Sequence, residues 1–532
     1  MRIDKIYIEE FKNLRDFSID LNEEFMSTVF LGQNAAGKSN LLEALVIIFR
    51  DLDLDDKTDF NYTVEYECKD NLLKVDGGPQ AKGNYVFYKG EKKDDEIIYS
   101  TLISKAEIKR NKTEYLPKYV FSYYSGISNR LLEHFDKHQK RFYDELIKGV
   151  DAPPRPLFYA RQIHSYFVLM AFYAFSDEKA NKFLKEFLGI VGLESVLFVL
   201  KKPVWARSKT EALDFWKAKG VVREFLDELF ESAMAPIVHE DTVREDFRRS
   251  HKQEQLYLYI SNQKKLEKIA SKYLTNAEFF KSLESTYISD LIQEVRVKVK
   301  KENVHGDITF KELSEGEQQL LTVIGLLRFT KEEESLILLD EPDTHLNPLW
   351  KWKYMNLLEE YSGKEETSQI LMTTHDPLVI GGLTKEEIRI FQSVKKVDED
   401  GEEYQQVETF EPDFDPKGLG VAGILTSEFF NLPSTLDEDT LEVLNERNRL
   451  VSKKDNTGLD ELEKEHLNEL FLKLSDLGIN TTDRDPMYQK FISALSQREE
   501  FQVEKVSKED RVKQNQIALD ILDELFNENE SE

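Results

Sequence analysis

The chain has 532 residues, a formal net charge of −29 and a single cysteine, Cys68. The length predicts about three domains, and one cysteine excludes an internal disulfide framework, which suits a reducing compartment. No stretch approaches the roughly eighteen apolar residues of a membrane span, and the N-terminus has acids where a signal peptide has basic and apolar regions. We therefore expect a cytoplasmic protein without a membrane partner.

A phosphate-binding loop is the first informative element of the chain. Residues 25–31 form an apolar run typical of a buried strand, residues 32–39 read Gly, any four residues, Gly-Lys-Ser, and residues 40–49 have helical composition. In such a loop the backbone N–H groups surround a di- or triphosphate, Lys38 reaches the outer phosphates and Ser39 supplies a hydroxyl ligand to Mg²⁺. The residues expected to bind nucleotide here are Gly32, Gln33, Asn34, Ala35, Ala36, Gly37, Lys38, Ser39 and Asn40.

The next long segment, residues 126–300, has mainly helical composition without a sustained heptad pattern. This composition therefore predicts a compact helical insert and not a pair of long coiled-coil arms. The exception is the stretch 295–301, in which valines alternate with Arg and Lys as in a strand with one basic face. Within the insert Gln162 is a candidate nucleotide-sensing glutamine, although a surface position is favoured.

A second group of candidate site residues follows the insert. The apolar run 335–339 ends in Asp340 and Glu341, and the strand-like run 369–374 ends in His375. Central parallel strands deliver such residues to the carboxyl edge of a sheet, where α/β ligand sites lie. We expect Asp340 to hold Mg²⁺, Glu341 to polarise the attacking water and His375 to approach the γ-phosphate.

The C-terminal part shows no further catalytic pattern. Residues 388–391 are expected to complete the nucleotide-binding domain. An acidic hairpin is expected around 398–401, and a charged helical extension begins near residue 418. Asp413 and Asp415 have the spacing of a nuclease pair, but no series of parallel strands surrounds them. His134 and His138 lack an evident third metal ligand. We therefore expect no nuclease centre in this chain.

Together these motifs resemble the ABC-type ATPase heads of the SMC, Rad50 and RecF group. The resemblance identifies residues 32–39 as Walker A, 313–318 as the signature, 336–341 as Walker B, 343–347 as the D-loop and His375 as the switch histidine. In this family the signature of one head contacts the γ-phosphate on the other head's Walker A loop. The resemblance therefore implies that two heads dimerise around ATP and that Ser314, Gly316 and Glu317 contribute to nucleotide binding.

The expected fold is α/β, an ABC-ATPase head with a P-loop mixed sheet and flanking helices, an inserted compact helical domain and a helical C-terminal extension. Four parts are predicted. They are ATPase lobe I with Walker A (1–125), the helical insert (126–300), ATPase lobe II with the signature, Walker B and switch histidine (301–417), and a helical extension for partner docking with an acidic tail (418–532).

The stretches at 123–130 and 423–432, together with the short-armed head, resemble the PtuA family, the ATPases of Septu antiphage systems and of their retron-linked relatives. That resemblance implies an oligomer of ATPase subunits that holds and controls a separate HNH nuclease of the PtuB type. In the retron-linked form it also implies a reverse transcriptase with multicopy single-stranded DNA.

Two other functions remain open at this stage. One is a RecF- or Rad50-like repair ATPase that clamps DNA directly, and the other is a toxin that is itself a nuclease. The charge of −29 argues against a surface that binds nucleic acid throughout, since phosphate contacts need clustered Lys and Arg. Local basic stretches occur at 137–141, 201–209 and 296–301.

Overall fold

The computed structural model describes residues 1–93, 96–126, 128, 130–151, 155–175, 178–207, 209–244, 247–302, 308–330, 334–362, 367–397, 403–477, 495, 498, 501 and 508–529. The chain forms two compact units. The first contains residues 1–380 and 386–410, and the second contains residues 381–385 and 411–532. The acidic hairpin expected at 398–401 lies outside the described residues.

The described strands are β1 (Arg2–Phe11), β2 (Leu14–Asp20), β3 (Ser27–Gly32), β4 (Tyr62–Cys68), β5 (Asn71–Gly77), β6 (Tyr85–Lys93), β7 (Glu96–Ile103), β8 (Tyr119–Tyr124), β9 (Leu157–Tyr159), β10 (Ile190–Lys201), β11 (Ile237–Arg244), β12 (Ser250–Ile260), β13 (Ile292–Lys301), β14 (Ile308–Thr309), β15 (Ser335–Asp340), β16 (Ser368–Thr373), β17 (Ile388–Val397) and β18 (Glu403–Phe410).

The described α-helices are α1 (Lys38–Leu54), α2 (Lys105–Arg110), α3 (Lys112–Tyr115), α4 (Asp136–Lys148), α5 (Ile163–Ala174), α6 (Glu178–Leu188), α7 (Gly220–Ser232), α8 (Gln263–Ala270), α9 (Asn276–Ile288), α10 (Glu315–Thr330), α11 (Pro348–Ser362), α12 (Pro377–Ile380), α13 (Gly420–Thr426), α14 (Glu438–Thr457), α15 (Glu461–Asp476) and α16 (Lys508–Asn529). Short 3-10 turns cover Leu132–Phe135, Ala212–Lys217, Phe310–Glu312 and Lys385–Glu387.

A seven-stranded sheet in the first unit positions the candidate site. Its strand order is β18-β17-β3-β16-β15-β8-β9, and every neighbouring pair is parallel except β17 with β18. All six residues of β15 are buried, as expected for a central strand covered on both faces. Because β3, β15 and β16 are parallel neighbours, the residues that end them meet at one edge of the sheet.

A six-stranded antiparallel sheet, ordered β2-β1-β4-β5-β6-β7, forms a second layer. Helix α1 contributes Leu41, Leu45 and Ile48 to a core that also contains Ile6 and Phe17 of this sheet. The helix that begins in the phosphate-binding loop is therefore fixed by burial of its apolar face. A mixed α/β head with flanking helices confirms the fold class expected for this part of the chain.

The segment 126–300 differs from the helical insert that its composition predicts. It contains helices α4–α9, but strands β10, β12 and β13 pair antiparallel within a five-stranded sheet ordered β11-β12-β10-β13-β14. The pairing of β10 with β13 joins residues about a hundred positions apart, and local periodicity gives no sign of such a partner. The strand predicted at 295–301 is present as β13, with its valines buried.

The second unit contains helices α13–α16. Helices α14 and α15 pack through Val443 and Leu450 on one and Leu467, Leu470 and Leu474 on the other. Asp437 caps α14 by accepting a hydrogen bond from the Thr440 N–H at 2.9 Å.

No helix in the described part of the chain is long and apolar enough to cross a membrane.

Candidate nucleotide-binding and hydrolysis site

The loop between β3 and α1 requires glycine at both ends. Gly32 has a φ of +140°, and a Cβ there would lie 2.3 Å from the Phe391 carbonyl oxygen. Gly37 has a φ of +97°, and a Cβ there would lie 2.8 Å from Leu14 Cδ2. A side chain at either position would force the loop away from the sheet, so these glycines fix the backbone around the expected phosphate position.

Lys38 lies across this loop. Its Nζ donates hydrogen bonds to the carbonyl oxygens of Gly32 at 2.7 Å and Gln33 at 3.0 Å. Burial lowers the pKa of Lys38 to about 8, and the nearby carboxylates of Glu341 and Asp340 only partly offset that effect. The ammonium group is therefore held where phosphate oxygens would stabilise its charge.

This pKa leads to a prediction about nucleotide binding. Phosphates beside Lys38 favour its charged form and raise its pKa, so binding takes up a proton wherever the free lysine is partly deprotonated. Above about pH 8 the free protein holds fewer protons than the complex, so the affinity for nucleotide falls as pH rises. We expect calorimetric titration with ADP and Mg²⁺ at pH 8.5, in buffers of different ionisation enthalpy, to show uptake of part of a proton.

At pH 6.5 Lys38 is protonated in both states, so the same titration should show no uptake from this group. Equal proton uptake at pH 6.5 and pH 8.5 would contradict the assignment of Lys38 as a phosphate ligand.

Asn13, in the turn between β1 and β2, supports the loop from outside. Its Nδ2 donates to the Ala35 carbonyl oxygen at 2.8 Å, and its Oδ1 accepts from Asn40 Nδ2 at 2.7 Å. Asn13 could not be singled out from the sequence, because a polar residue in a hairpin turn is ordinary. Its contact with the loop depends on how the two sheets are stacked.

Ser39 and Asp340 meet although 301 positions separate them. The Ser39 hydroxyl donates to Asp340 Oδ1 at 2.8 Å, and the Thr373 hydroxyl donates to the same oxygen at 2.7 Å. Asp340 is fully buried, and burial raises its pKa against the effect of these hydrogen bonds. Its Oδ2 is buried without a hydrogen-bond partner among the described residues.

A buried carboxylate oxygen without a partner, beside a hydroxyl and a phosphate-binding loop, fits Mg²⁺, which binds oxygen ligands and keeps several waters. Ser39 and Asp340 are the residues that would hold it. Thr373, which the sequence did not single out, orients Asp340 because the register of β15 and β16 places these two residues side by side.

Glu341 and His375 face each other at the same edge of the sheet. His375 Nε2 lies 3.4 Å from Glu341 Oε1, and both side chains are more than one third exposed. The interaction with His375 lowers the pKa of Glu341 in spite of partial burial. Glu341 has a φ of +52°, and its N–H donates to Thr373 Oγ1 at 3.0 Å. The carboxylate is thus ionised at neutral pH and fixed beside the expected γ-phosphate position.

The signature begins helix α10 with reciprocal hydrogen bonds. The Glu317 N–H donates to Ser314 Oγ at 3.2 Å, and the Ser314 N–H donates to Glu317 Oε2 at 2.8 Å. Lys301 Nζ donates to Glu317 Oε1 at 2.5 Å. The Glu317 carboxylate is thus engaged within the chain, while Ser314 remains exposed at the helix start.

The start of α10 is joined to the D-loop. A Cβ on Gly316 would lie 2.4 Å from the His345 carbonyl oxygen. Gln319 donates through Nε2 to the Pro342 carbonyl oxygen at 2.7 Å and accepts from the His345 N–H at 3.3 Å. Signature, Walker B and D-loop therefore form one connected element, in which Gln319 is a positioning residue that the sequence did not reveal.

Gln162 is exposed, as favoured from the sequence, but it also contacts the signature helix. Its Nε2 donates to Gln318 Oε1 at 2.6 Å. In contrast, within the described residues no hydrogen bond or ion pair joins Ser314 to the loop at 32–40. A single chain therefore joins the loop at 32–40 to Asp340 and places Glu341 beside His375, whereas Ser314 forms no such bond to the loop among the described residues.

The candidate histidine metal site is occupied by other interactions. His134 Nε2 lies 3.0 Å from Glu43 Oε1, and His138 Nε2 lies 2.9 Å from Asp53 Oδ2. Across the described ranges no group of three His, Cys, Asp or Glu residues is arranged to hold a metal ion.

Comparisons with known proteins relate two segments of this chain to ATPase domains. Residues 1–190 match the AAA ATPase domain family, and residues 205–381 match the family described as AAA domain, putative AbiEii toxin, Type IV TA system. The chain is 27% identical over 234 residues to the Septu protein PtuA of Bacillus mycoides. Two segments of the chain are thus similar to ATPase domains, and part of the chain is similar to PtuA. The aligned segment makes up 40% of this chain and 29% of the length of PtuA.

Solved SMC head structures are also similar. The SMC head bound to the C-winged helix domain of ScpA is 12% identical, covers 77% of this chain and 98% of its own, and has a TM-score of 0.33. The SMC head domain from Thermotoga maritima is 13% identical, covers 77% and 99% of the two chains, and has a TM-score of 0.31.

Proposed function

We propose that this chain binds ATP with Mg²⁺ in the loop at residues 32–40 and hydrolyses it between the heads of two copies. We further propose that this nucleotide state holds and controls a separate HNH nuclease in defence against phage. The observation that carries the ATPase part is the Asp340 carboxylate. One of its oxygens accepts from Ser39 and Thr373, and the other is buried and available to a metal ion.

Hydrolysis requires a water oxygen to bond to the γ-phosphorus while the bond from that phosphorus to the β–γ bridging oxygen breaks. Glu341 orients the water and receives its proton, and ADP and phosphate leave. His375 holds Glu341 ionised and approaches the γ-phosphate, while Lys38 neutralises the outer phosphates. Mg²⁺ on Ser39 and Asp340 would supply further charge neutralisation.

The exposed signature supports a site shared between two heads. Ser314 is ordered by its capping box but makes no contact with the phosphate-binding loop of its own chain within the described residues. A second copy related by two-fold symmetry would place each signature opposite the other copy's loop. The family resemblance, in which the signature acts on the partner's nucleotide, supports the same arrangement.

The defence role rests on the similarity to PtuA and on the resemblance stated from the sequence. It implies an HNH nuclease subunit of the PtuB type, an oligomer beyond the dimer, and in a retron-linked form a reverse transcriptase with multicopy single-stranded DNA. Bound ATP would keep heads engaged and the nuclease restrained. Infection would shift that equilibrium, which requires ATP to bind the engaged heads better than the separated ones.

The cations on the basic face of β13 are paired with carboxylates. This pairing argues against a direct DNA clamp and so favours the proposed function. Arg296 lies 2.7 Å from Glu294, Lys300 lies 2.8 Å from Glu194 and Lys301 lies 2.5 Å from Glu317. These carboxylates neutralise much of the charge that DNA phosphates would need. The alternating pattern is present, but these three of its cations are already paired within the chain.

Mixing two inactive variants tests the shared site. Lys38→Ala removes nucleotide binding, and Ser314→Arg obstructs the signature, so we expect each alone to lose at least about a hundredfold in ATP turnover. In an equal mixture half of the dimers are mixed, and each of these has one intact composite site. Turnover should therefore return to about one quarter of the wild-type rate.

The matched control mixes Lys38→Ala with Glu341→Gln. Both changes lie on the Walker side of the site, so no mixed dimer contains an intact one and turnover should stay low. Recovery in both mixtures, or in neither when cross-linking shows that the heads associate, would contradict hydrolysis in a shared site.

A further inference from the structure

A polar cleft of about 600 Å³ lies in the insert, away from the phosphate-binding loop. Its cations come from three separate elements: Lys140 on α4, Arg161 before α5 and Lys201 at the end of β10. Two of the basic stretches evident in the sequence, 137–141 and 201–209, therefore contribute one cation each to the cleft. Tyr143 and Tyr287 add two aromatic rings to the lining.

The three cations share the cleft with two carboxylates, those of Asp136 and Asp290, which leaves one positive charge in excess. Lys201 Nζ lies 2.6 Å from Asp290 Oδ1 and is neutralised by it. Asp136 lies in the first turn of α4, where the helix dipole favours a negative charge. No ion pair of Lys140 or Arg161 with a carboxylate is found among the described residues, so these two cations are the available ones.

Arg161 is held in position by a neutral partner. Its guanidinium donates to Gln139 Oε1 at 3.0 Å, and its backbone N–H donates to His164 Nδ1 at 2.8 Å. This arrangement orients the guanidinium without cancelling its charge, which is the condition under which Arg binds a phosphate well.

The aromatic residues supply the second half of a recognition site. Burial raises the pKa of Tyr143, with the charges of Asp290 and Asp144 acting in the same direction, so its phenol stays neutral. A neutral phenol ring offers a face for stacking a base, a contact that tolerates any base. The volume of the cleft is within the range of about 300–1,000 Å³ that holds small ligands.

We infer that this cleft binds a nucleotide, with a phosphate on Lys140 and Arg161 and the base against Tyr143 or Tyr287. The ligand is either a free nucleotide or the end of a single strand, since both present the same phosphate and base. The site is separate from the ATP site and does not depend on the proposed function.

Calorimetric titration of the full chain tests this inference. Saturating ADP and Mg²⁺ occupy the phosphate-binding loop, and the probes are thymidine 5′-monophosphate and 5′-phosphorylated trithymidylate, which carry no triphosphate. We expect one probe molecule per chain and at least a tenfold loss of affinity in Lys140→Glu. Lys140→Gln, which removes the charge without reversing it, should weaken binding to a smaller extent.

The matched control is Arg141→Glu, the same charge change on the next residue of α4. The Arg141 side chain is exposed, lies 3.4 Å from Glu145 and does not line the cleft. We expect its affinity to stay within twofold of wild type.

The two probes distinguish the sources of the nucleotide. Binding of the monophosphate with similar affinity to the trinucleotide supports a free nucleotide, whereas at least tenfold tighter binding of the trinucleotide supports a strand end. Absence of binding by both probes, or an equal loss in Lys140→Glu and Arg141→Glu, would overturn the inference.

Discussion

Replacing Glu341 with Gln should lower ATP turnover by at least about a hundredfold while nucleotide binding persists. Glutamine keeps the shape of the side chain but cannot receive the proton of the attacking water. The hydrogen bonds that place Lys38, Ser39 and Asp340 at the proposed nucleotide site do not involve the Glu341 side chain. The variant should therefore accumulate as ATP-bound dimers, measured by light scattering alongside phosphate release.

Glu360→Gln is the control, because Glu360 is an exposed residue of α11 outside the site. It should leave turnover and dimer content unchanged. Hydrolysis by Glu341→Gln at more than one tenth of the wild-type rate would show that another group handles the water.

The same variant tests what the nucleotide state controls. When Glu341→Gln is purified from its native operon with ATP and Mg²⁺, we expect an HNH protein to co-elute in at least the wild-type proportion, because the engaged state persists. A dimer that retains only bulk DNA would favour the direct DNA clamp instead.

Removing Glu284 should destabilise the first unit more than any surface change. Arg155 donates to Glu284 Oε1, and His164 Nε2 lies 2.8 Å from Oε2; all three residues are buried. Burial raises the pKa of Glu284, but its interactions with His164 and Arg155 outweigh that effect and hold the pKa below its ordinary value. Glu284→Ala would leave Arg155 buried without a counter-charge.

The expected cost is about 3–5 kcal/mol of unfolding free energy, measured as a lower midpoint in urea. Glu302→Ala removes an exposed partner of Lys185, 3.6 Å away, and should change stability by less than about 1 kcal/mol. The double variant Arg155→Met with Glu284→Leu should recover much of the lost unfolding free energy. At this position Phe142 and Phe158 already line an apolar cavity of about 100 Å³, which suits apolar side chains. Equal midpoints for Glu284→Ala and Glu302→Ala would refute this account.

The chemistry of the site was largely predictable from the sequence. A phosphate-binding loop needs its glycines, lysine and serine within eight consecutive positions, and a central strand must be apolar up to the acids it delivers. The positions of Lys38, Asp340 and His375 at one edge agree with that reasoning. Asn13, Thr373 and Gln319 were missed because each acts by holding another residue, and a residue of that kind has no motif of its own.

The sequence by itself determined which groups we propose for phosphate and metal binding, because such groups must be close along the chain or at the end of a recognisable strand. Only the tertiary structure decided where the distant parts meet. It joined Ser39 to Asp340, paired β10 with β13, and collected Lys140 and Arg161 in one cleft. These contacts link residues far apart in sequence, and their geometry follows from how sheets and helices pack, which local periodicity does not encode.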